Sequence, residues 1–215
     1  MLPKPESCRS CPLFEGEYGK PTGFVPSSGD GSSGVLIVAE AAGEQEELDG
    51  VGLVGPAGQY LWSQLQRIGI EREGFRLSNC LACRPPNNEL LKMPYTDAAL
   101  EHCRPNLDQD IAEHVAHCHI IGKVPVVVAM GKFAAQRLLG WEKHFVGWKE
   151  DYQTYPHWSD RYGCLIICTY HPSHMLRGKH SLAPVMRYTV QRALEIAESG
   201  IQIERPRYLL DPTWA

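Results

Sequence analysis

The stretch Ser78–Pro86, SNCLACRPP, decides how the rest of the chain is read. Its front half closes an apolar strand that begins at Phe75 and delivers a polar side chain, Asn79, at the strand's C-terminal end. Its back half supplies Cys83, then Pro85 and Pro86, which exclude helix and hold the chain extended. In an open α/β sheet, ligands bind beyond the carboxyl ends of the strands. A candidate ligand reader and a candidate metal ligand therefore sit four residues apart.

The flanking sequence supplies the sheet. Upstream, Val35–Ala39 is a continuous apolar run with β-branched residues, as expected of a buried parallel strand. It leads into Glu40 and a glycine-punctuated loop, then a helix from about Gln59 to Arg67. Phe75 to Ala82 is the second strand. Beyond the prolines a helix starts at Thr96, is interrupted at Cys103-Arg-Pro105, and resumes to about His117. Val124–Ala129 is a third strand, followed by Gly131 and a short helix with Gly140 as its C-cap. Cys164–Thr169 is a fourth, running straight into Tyr170-His-Pro-Ser173, and a last helix spans Ala183 to Ser199. Residues 17–34 read as a surface loop, 141–163 as aromatic-rich and irregular, and the tail from Ile201 as weakly patterned. Strands alternating with helices predict an α/β fold: one domain over residues 1–215, three layers α/β/α, with a central four-stranded parallel sheet.

At 215 residues the chain suffices for one good core. The N-terminus MLPKPESC carries no apolar export segment. The longest apolar run, Val124–Met130, falls well short of the roughly 20 residues a membrane helix needs. The expectation is a cytoplasmic, soluble protein with no membrane partner. A net charge of −4 argues against a general nucleic-acid coat while permitting a local basic patch.

The eight cysteines have no disulfide-like rhythm. Cys8 and Cys11 form one CxxC knuckle, while Cys83 and Cys103 are single and distant. Structural zinc usually takes two knuckles, whereas one pair and two singles near prolines suit a cubane held by four thiolates. Spacing alone leaves an iron–sulfur cluster, zinc and no metal all open. Cys164 and Cys168 share a strand face and belong to the core, and Cys80 alternates faces with Asn79. His114, His117, Cys118 and His119 read as a solvated polar face of a helix end.

Two charged segments flank the strand ends. Glu40, Glu44, Glu46, Glu47 and Asp49 crowd ten residues, a density that repels phosphate and reads mostly as a solvated loop. Glu40 differs, because at the sheet's C-terminal edge a carboxylate could orient a water. From His171 to Arg192 there is no acid, while Arg177, Lys179, Arg187 and Arg192 make a cationic surface suited to a phosphate-bearing partner. Met175 and Leu176 are apolar residues on that basic loop, and apolar wedges can open a duplex.

Taken together, EAAG at 40–43, GVGLVGPAG at 50–58, NCLACRPP at 79–86 and HPSHMLR at 171–177 resemble the uracil-DNA glycosylase superfamily, closest to its iron–sulfur, family 4 branch. The likeness runs from Cys8 to about Ala197, with every segment in family order. It implies that Cys8, Cys11, Cys83 and Cys103 hold a [4Fe–4S] cluster. It implies catalytic roles for Glu40, linked to the attacking water, and His171, stabilising charge on the leaving base. Asn79 would read the flipped base's edge, with Leu53 and Glu46 completing the base-binding set. Ser173, Met175, Leu176 and Arg177 would enter the DNA. The chain departs from the family at Ala39 and Ala42, where glycine and proline are usual, and at Leu53, where an aromatic stacks on the base. Asn87–Pro94 lacks the basic insert of the branch that bonds covalently to uracil, so simple hydrolysis is expected.

The activity implied is hydrolysis of the N-glycosidic bond of uracil, or of a modified or deaminated relative, in DNA. The product is an abasic site, and the expected agent a monomeric repair enzyme. Two other readings compete: an iron–sulfur DNA-binding protein without catalysis, serving as damage sensor or replication accessory, and a zinc-stabilised α/β domain for a nucleotide-like ligand.

Overall fold

A computed structural model describes residues 2–14, 23–140 and 155–199. Most of the aromatic stretch expected to be irregular, and the tail from Ile201, lie outside the described residues. The sheet has five strands, in the order β2-β1-β3-β5-β4. β1 (Val35–Ala41) pairs in parallel with β2 (Arg76–Leu81) on one side and with β3 (Val126–Met130) on the other. β5 (Cys164–Thr169) continues in parallel beside β3. The expected count of four was one short. β4 (His157–Ser159) adds an antiparallel edge, and three residues hydrogen-bonded to an existing strand leave too little periodic pattern to be read from sequence.

The central strands are apolar up to their carboxyl ends because both faces are covered. Leu36, Val38, Val127, Ala129, Ile166 and Cys168 face one helical layer, and Val35, Ile37, Ala39, Val128 and Ile167 face the other. Burying each large aliphatic side chain this way contributes roughly 1.5–3 kcal/mol. The first layer holds α3 (Thr96–Ile121) and α4 (Lys132–Leu139), the second α2 (Pro56–Gln66) and α6 (Ala183–Ser199). α6 docks through Met186, Val190, Ala193 and Ile196, a helical spacing of apolar positions that leaves Tyr188 exposed.

Three local expectations are corrected. α3 is continuous through Pro105. Proline removes only one hydrogen bond, and Leu100, Cys103, Leu107 and Ile111 still fall on one buried face. The acidic stretch after β1 is partly a short helix, α1 (Glu44–Asp49), with Glu46 and Glu47 buried. His114 and Cys118 are wholly buried, not solvated: the sulfur lies 3.6 Å from the imidazole, and burial pushes the His114 pKa down to about 4.

The expected surface loop before β1 is in part an arm along the sheet edge. Ser28 exchanges backbone hydrogen bonds with Leu77 of β2, the Val25 amide donates to the Ala82 carbonyl, and Phe24 bridges to Cys83. This arm carries the N-terminal knuckle back to Cys83. No helix among the described residues is long and apolar enough to cross a membrane.

Candidate active site

The strand order places a topological switch at β1, whose neighbours β2 and β3 lie on opposite sides. Three of the expected residues stand along that carboxyl edge: Asn79 on β2, Glu40 on β1 and His171 just after β5. The register pairs Ala39 with Asn79. By the pleat, Asn79 shares the α2–α6 face with Leu77, whereas Cys80 turns to the α3–α4 face, as expected. Asn79 is only 7% exposed, yet among the described residues its carboxamide makes no hydrogen bond to protein. A buried amide normally finds a partner, so a carboxamide without one among the described residues is a candidate ligand reader.

Glu40 accepts a hydrogen bond from the Phe133 amide at 3.3 Å, at the start of α4. Burial raises its pKa above the usual carboxylate range, opposed by the Phe133 amide and the nearby Arg177 charge. Gly131 separates this carboxylate from His171. With φ at +91° it is already in a glycine region, and a Cβ there would collide with Glu40 Oε1 and stand 3.0 Å from His171 Cβ. The sequence marks Gly131 only as the residue directly after an apolar strand.

His171 caps the N-terminus of α5 (Pro172–Leu176). Its Nδ1 accepts from the Ser173 backbone amide at 3.2 Å and lies 2.8 Å from the Ser173 hydroxyl, which itself accepts from Arg177 at 3.2 Å. A backbone N–H can only donate, so Nδ1 is unprotonated and the neutral ring carries its proton on Nε2. Burial, then the Arg177 charge, brings the His171 pKa down to about 4. The result is a neutral imidazole with a fixed Nε2–H donor.

α5 replaces the loop expected here. Met175 is fully buried among core residues of α2 and α6, so it is not an exposed DNA contact; Leu176, one residue on, is 45% exposed. Helical geometry sends neighbouring residues to different faces, a distinction a loop reading does not make. Ser173 is committed to His171 and Arg177.

Glu46 is committed as well. Its carboxylate accepts from the amides of Gly43 at 3.2 Å, Val54 at 3.0 Å and Gly55 at 2.8 Å. It pins the 52–55 loop and is not open to a base. Glu47 accepts from Gly23 at 2.7 Å and lies 3.6 Å from Arg84, beside Cys83. Leu53 is 5% exposed and sits at φ +54°, the left-handed region.

Cys8, Cys83 and Cys103 are buried and Cys11 partly so. Burial pushes the Cys83 thiol up to about 12, and the charges of Cys103, Cys8 and Cys11 all reach it. Burial raises Cys103 too, with Cys8 and Cys11 adding to it. The sequence-distant singles and the knuckle thus lie within electrostatic reach of one another. N–H groups point at the sulfurs: Ala82 at 3.2 Å and Asn106 at 3.7 Å from Cys103, and Leu13 toward Cys11. Among the described residues, no three His, Cys, Asp or Glu side chains stand close enough to hold one metal ion. Four thiols, two of them with N–H donors, are the soft donor set that a thiolate-held centre takes.

The model for the family described as "Uracil DNA glycosylase superfamily" matches residues 26–195. The chain is 36% identical over 137 residues to the type-4 uracil-DNA glycosylase of Archaeoglobus fulgidus, covering 60% of this chain and 57% of that protein. It is 36% identical over 134 residues to the type-4 enzyme of Pyrobaculum aerophilum, covering 62% and 60%. Against that of Thermotoga maritima it is 30% identical over 199 residues, covering 93% and 92%. The matches thus span under two thirds of the first two of these proteins and nearly all of the third. Sheet order, strand-end residues and these matches agree: the chain belongs to the uracil-DNA glycosylase superfamily.

Proposed function

We propose that this chain is a DNA repair glycosylase that flips uracil, or a closely related base, out of DNA and hydrolyses its N-glycosidic bond. The observation carrying this reading is the buried Asn79 carboxamide, which has no protein partner among the described residues, on the same strand-end edge as Glu40 and the neutral His171. An enzyme acting on a base in a duplex extrudes it and reads its Watson–Crick edge; the Asn79 amide matches the alternating donor and acceptor of uracil. As the bond from C1′ to the base nitrogen breaks, its electron pair passes to the base and spreads onto an exocyclic carbonyl oxygen. The His171 Nε2–H donates to that oxygen. Water adds its oxygen to C1′ and yields a proton to Glu40, whose raised pKa suits a base. The departing base anion takes up a proton from solvent, and Glu40 returns its proton to solvent, so the products are the free base and an abasic sugar, with no lyase step.

In this reading Leu176 and Arg177 meet the DNA, and the chain acts as a monomer. Cys8, Cys11, Cys83 and Cys103 would hold a [4Fe–4S] cluster, a reading supported by the mutual electrostatic reach of these thiols and by the type-4 relatives. The cluster would supply structure, tying the knuckle to the segment behind Asn79.

The test uses anaerobically purified protein with duplex and single-stranded oligonucleotides containing uracil, hypoxanthine, xanthine or 5-hydroxymethyluracil. Alkali cleavage reports abasic sites, and iron is assayed on the same preparation. Base release that is lost in His171→Ala supports the reading. Iron-loaded protein that binds DNA but releases no base overturns it, in favour of a non-catalytic DNA-binding protein.

A further inference from the structure

Leu53 occupies a backbone conformation that side-chain-bearing residues rarely adopt, with φ at +54°. Such strain persists only where the surroundings over-determine it, and it clusters at functional sites. Here the restraint comes from four directions. The Trp62 indole donates to the Leu53 carbonyl at 2.9 Å. Arg72 forks across the same turn, Nη1 to the Leu53 carbonyl at 3.2 Å and Nη2 to the Gly52 carbonyl at 2.8 Å. Glu46 holds the next two amides, Val54 and Gly55. Gly58 packs so tightly beneath that a Cβ would collide with the Leu53 carbonyl. Arg72 is itself stacked over the Trp62 ring at 5.4 Å, so the two donors brace one another.

This clamp lies where the base would be read. Gly52 rests against Leu77, with 3.5 Å between Leu77 Cβ and the place a Gly52 Cβ would take. Leu77 precedes Asn79 by two residues on the same sheet face. A leucine wall lacks the flat π surface that aligns a base by stacking. Alignment must then come from a wall that does not yield.

We propose that Arg72 and Trp62 are positioning residues for the base. By fixing the Leu53 turn they preset one wall of the base site on the sheet face that carries Asn79, so the flipped base is aligned by a rigid backbone and not by an aromatic stack. The inference deepens the glycosylase reading and rests on it. It assigns roles to two side chains outside all the motif segments.

The experiment compares wild type, Trp62→Phe, Arg72→Ala and Arg72→Lys on a uracil oligonucleotide, with Arg161→Ala as a control far from the turn. Trp62→Phe keeps an aromatic ring but loses the Nε1 donor and part of the indole volume, a smaller change than Arg72→Ala that stays informative if Arg72→Ala fails to fold. The expected result is a kcat lower by about tenfold to a hundredfold, an unchanged KM for DNA, and an intermediate kcat for Arg72→Lys, which reaches one carbonyl. Unchanged kcat, a loss confined to KM, or an equal loss in Arg161→Ala at matched thermal stability overturns the inference alone. Wild-type protein that releases no base from any oligonucleotide defeats the glycosylase reading itself.

Discussion

Glu40 and His171 face each other across one glycine. The Gly131 Cα lies so close to the Glu40 carboxylate and to His171 Cβ, at 3.0 Å from the place a side chain would start, that no Cβ fits between them. The two are carried by β1 and the end of β5, which are not neighbours; β3 runs between them and ends just before Gly131. The spacing of acid and imidazole is therefore set by a backbone.

Gly131→Ala should damage both stability and catalysis. At φ +91° an alanine is strained by roughly 1–3 kcal/mol, and its methyl pushes Glu40 and His171 apart. Urea unfolding and single-turnover base release would show it, with kcat falling further than the stability loss explains. A wild-type kcat would show that the separation is not tightly held.

Glu40→Gln should be more stable and less active than wild type. Burial holds the Glu40 pKa above its unfolded value, so its ionised form opposes folding at neutral pH. Glutamine keeps an acceptor for the Phe133 amide and removes the charge, at the cost of the base. Thermal unfolding at pH 7 should give a higher Tm, by a few degrees for about 1 kcal/mol, with base release strongly reduced.

Acid should destabilise the protein through two histidines. His171 and His114 both sit at about 4 when folded, below the ordinary value of 6.5. Between those values the unfolded chain binds more protons than the folded one, so stability is full above pH 6.5 and is lost as pH falls toward 4. Urea midpoints at pH 7 and pH 5 should differ in wild type and differ less in His114→Gln and His171→Gln. The same low pKa keeps His171 neutral near pH 7, so it should add no acidic limb to the rate there.

Met175 and Leu176 should separate packing from DNA contact. Met175→Ala empties a fully buried position and should cost about 2–5 kcal/mol. Leu176→Ala, at a 45% exposed site, should leave the Tm nearly unchanged and weaken base extrusion from duplex DNA. Matched assays on duplex and single-stranded substrate would show it, the Leu176→Ala defect being larger on the duplex.

By itself the sequence determined the strand–helix alternation, the bounds of β5 and α6, and the strand-end positions of Glu40, Asn79 and His171. Apolar runs covered on both faces and glycine caps are local signals, and local signals survive in one dimension. The antiparallel edge strand, the continuity of α3 through Pro105, the burial of Met175 and of the His114–Cys118 pair, and the commitment of Glu46 to three amides came only with the tertiary structure. Each depends on which face of a helix or strand meets another element. Gly131, Trp62 and Arg72 belong with them. A glycine is needed only where two distant side chains crowd its Cα, and a carbonyl is gripped only where the fold brings an indole and a guanidinium to it.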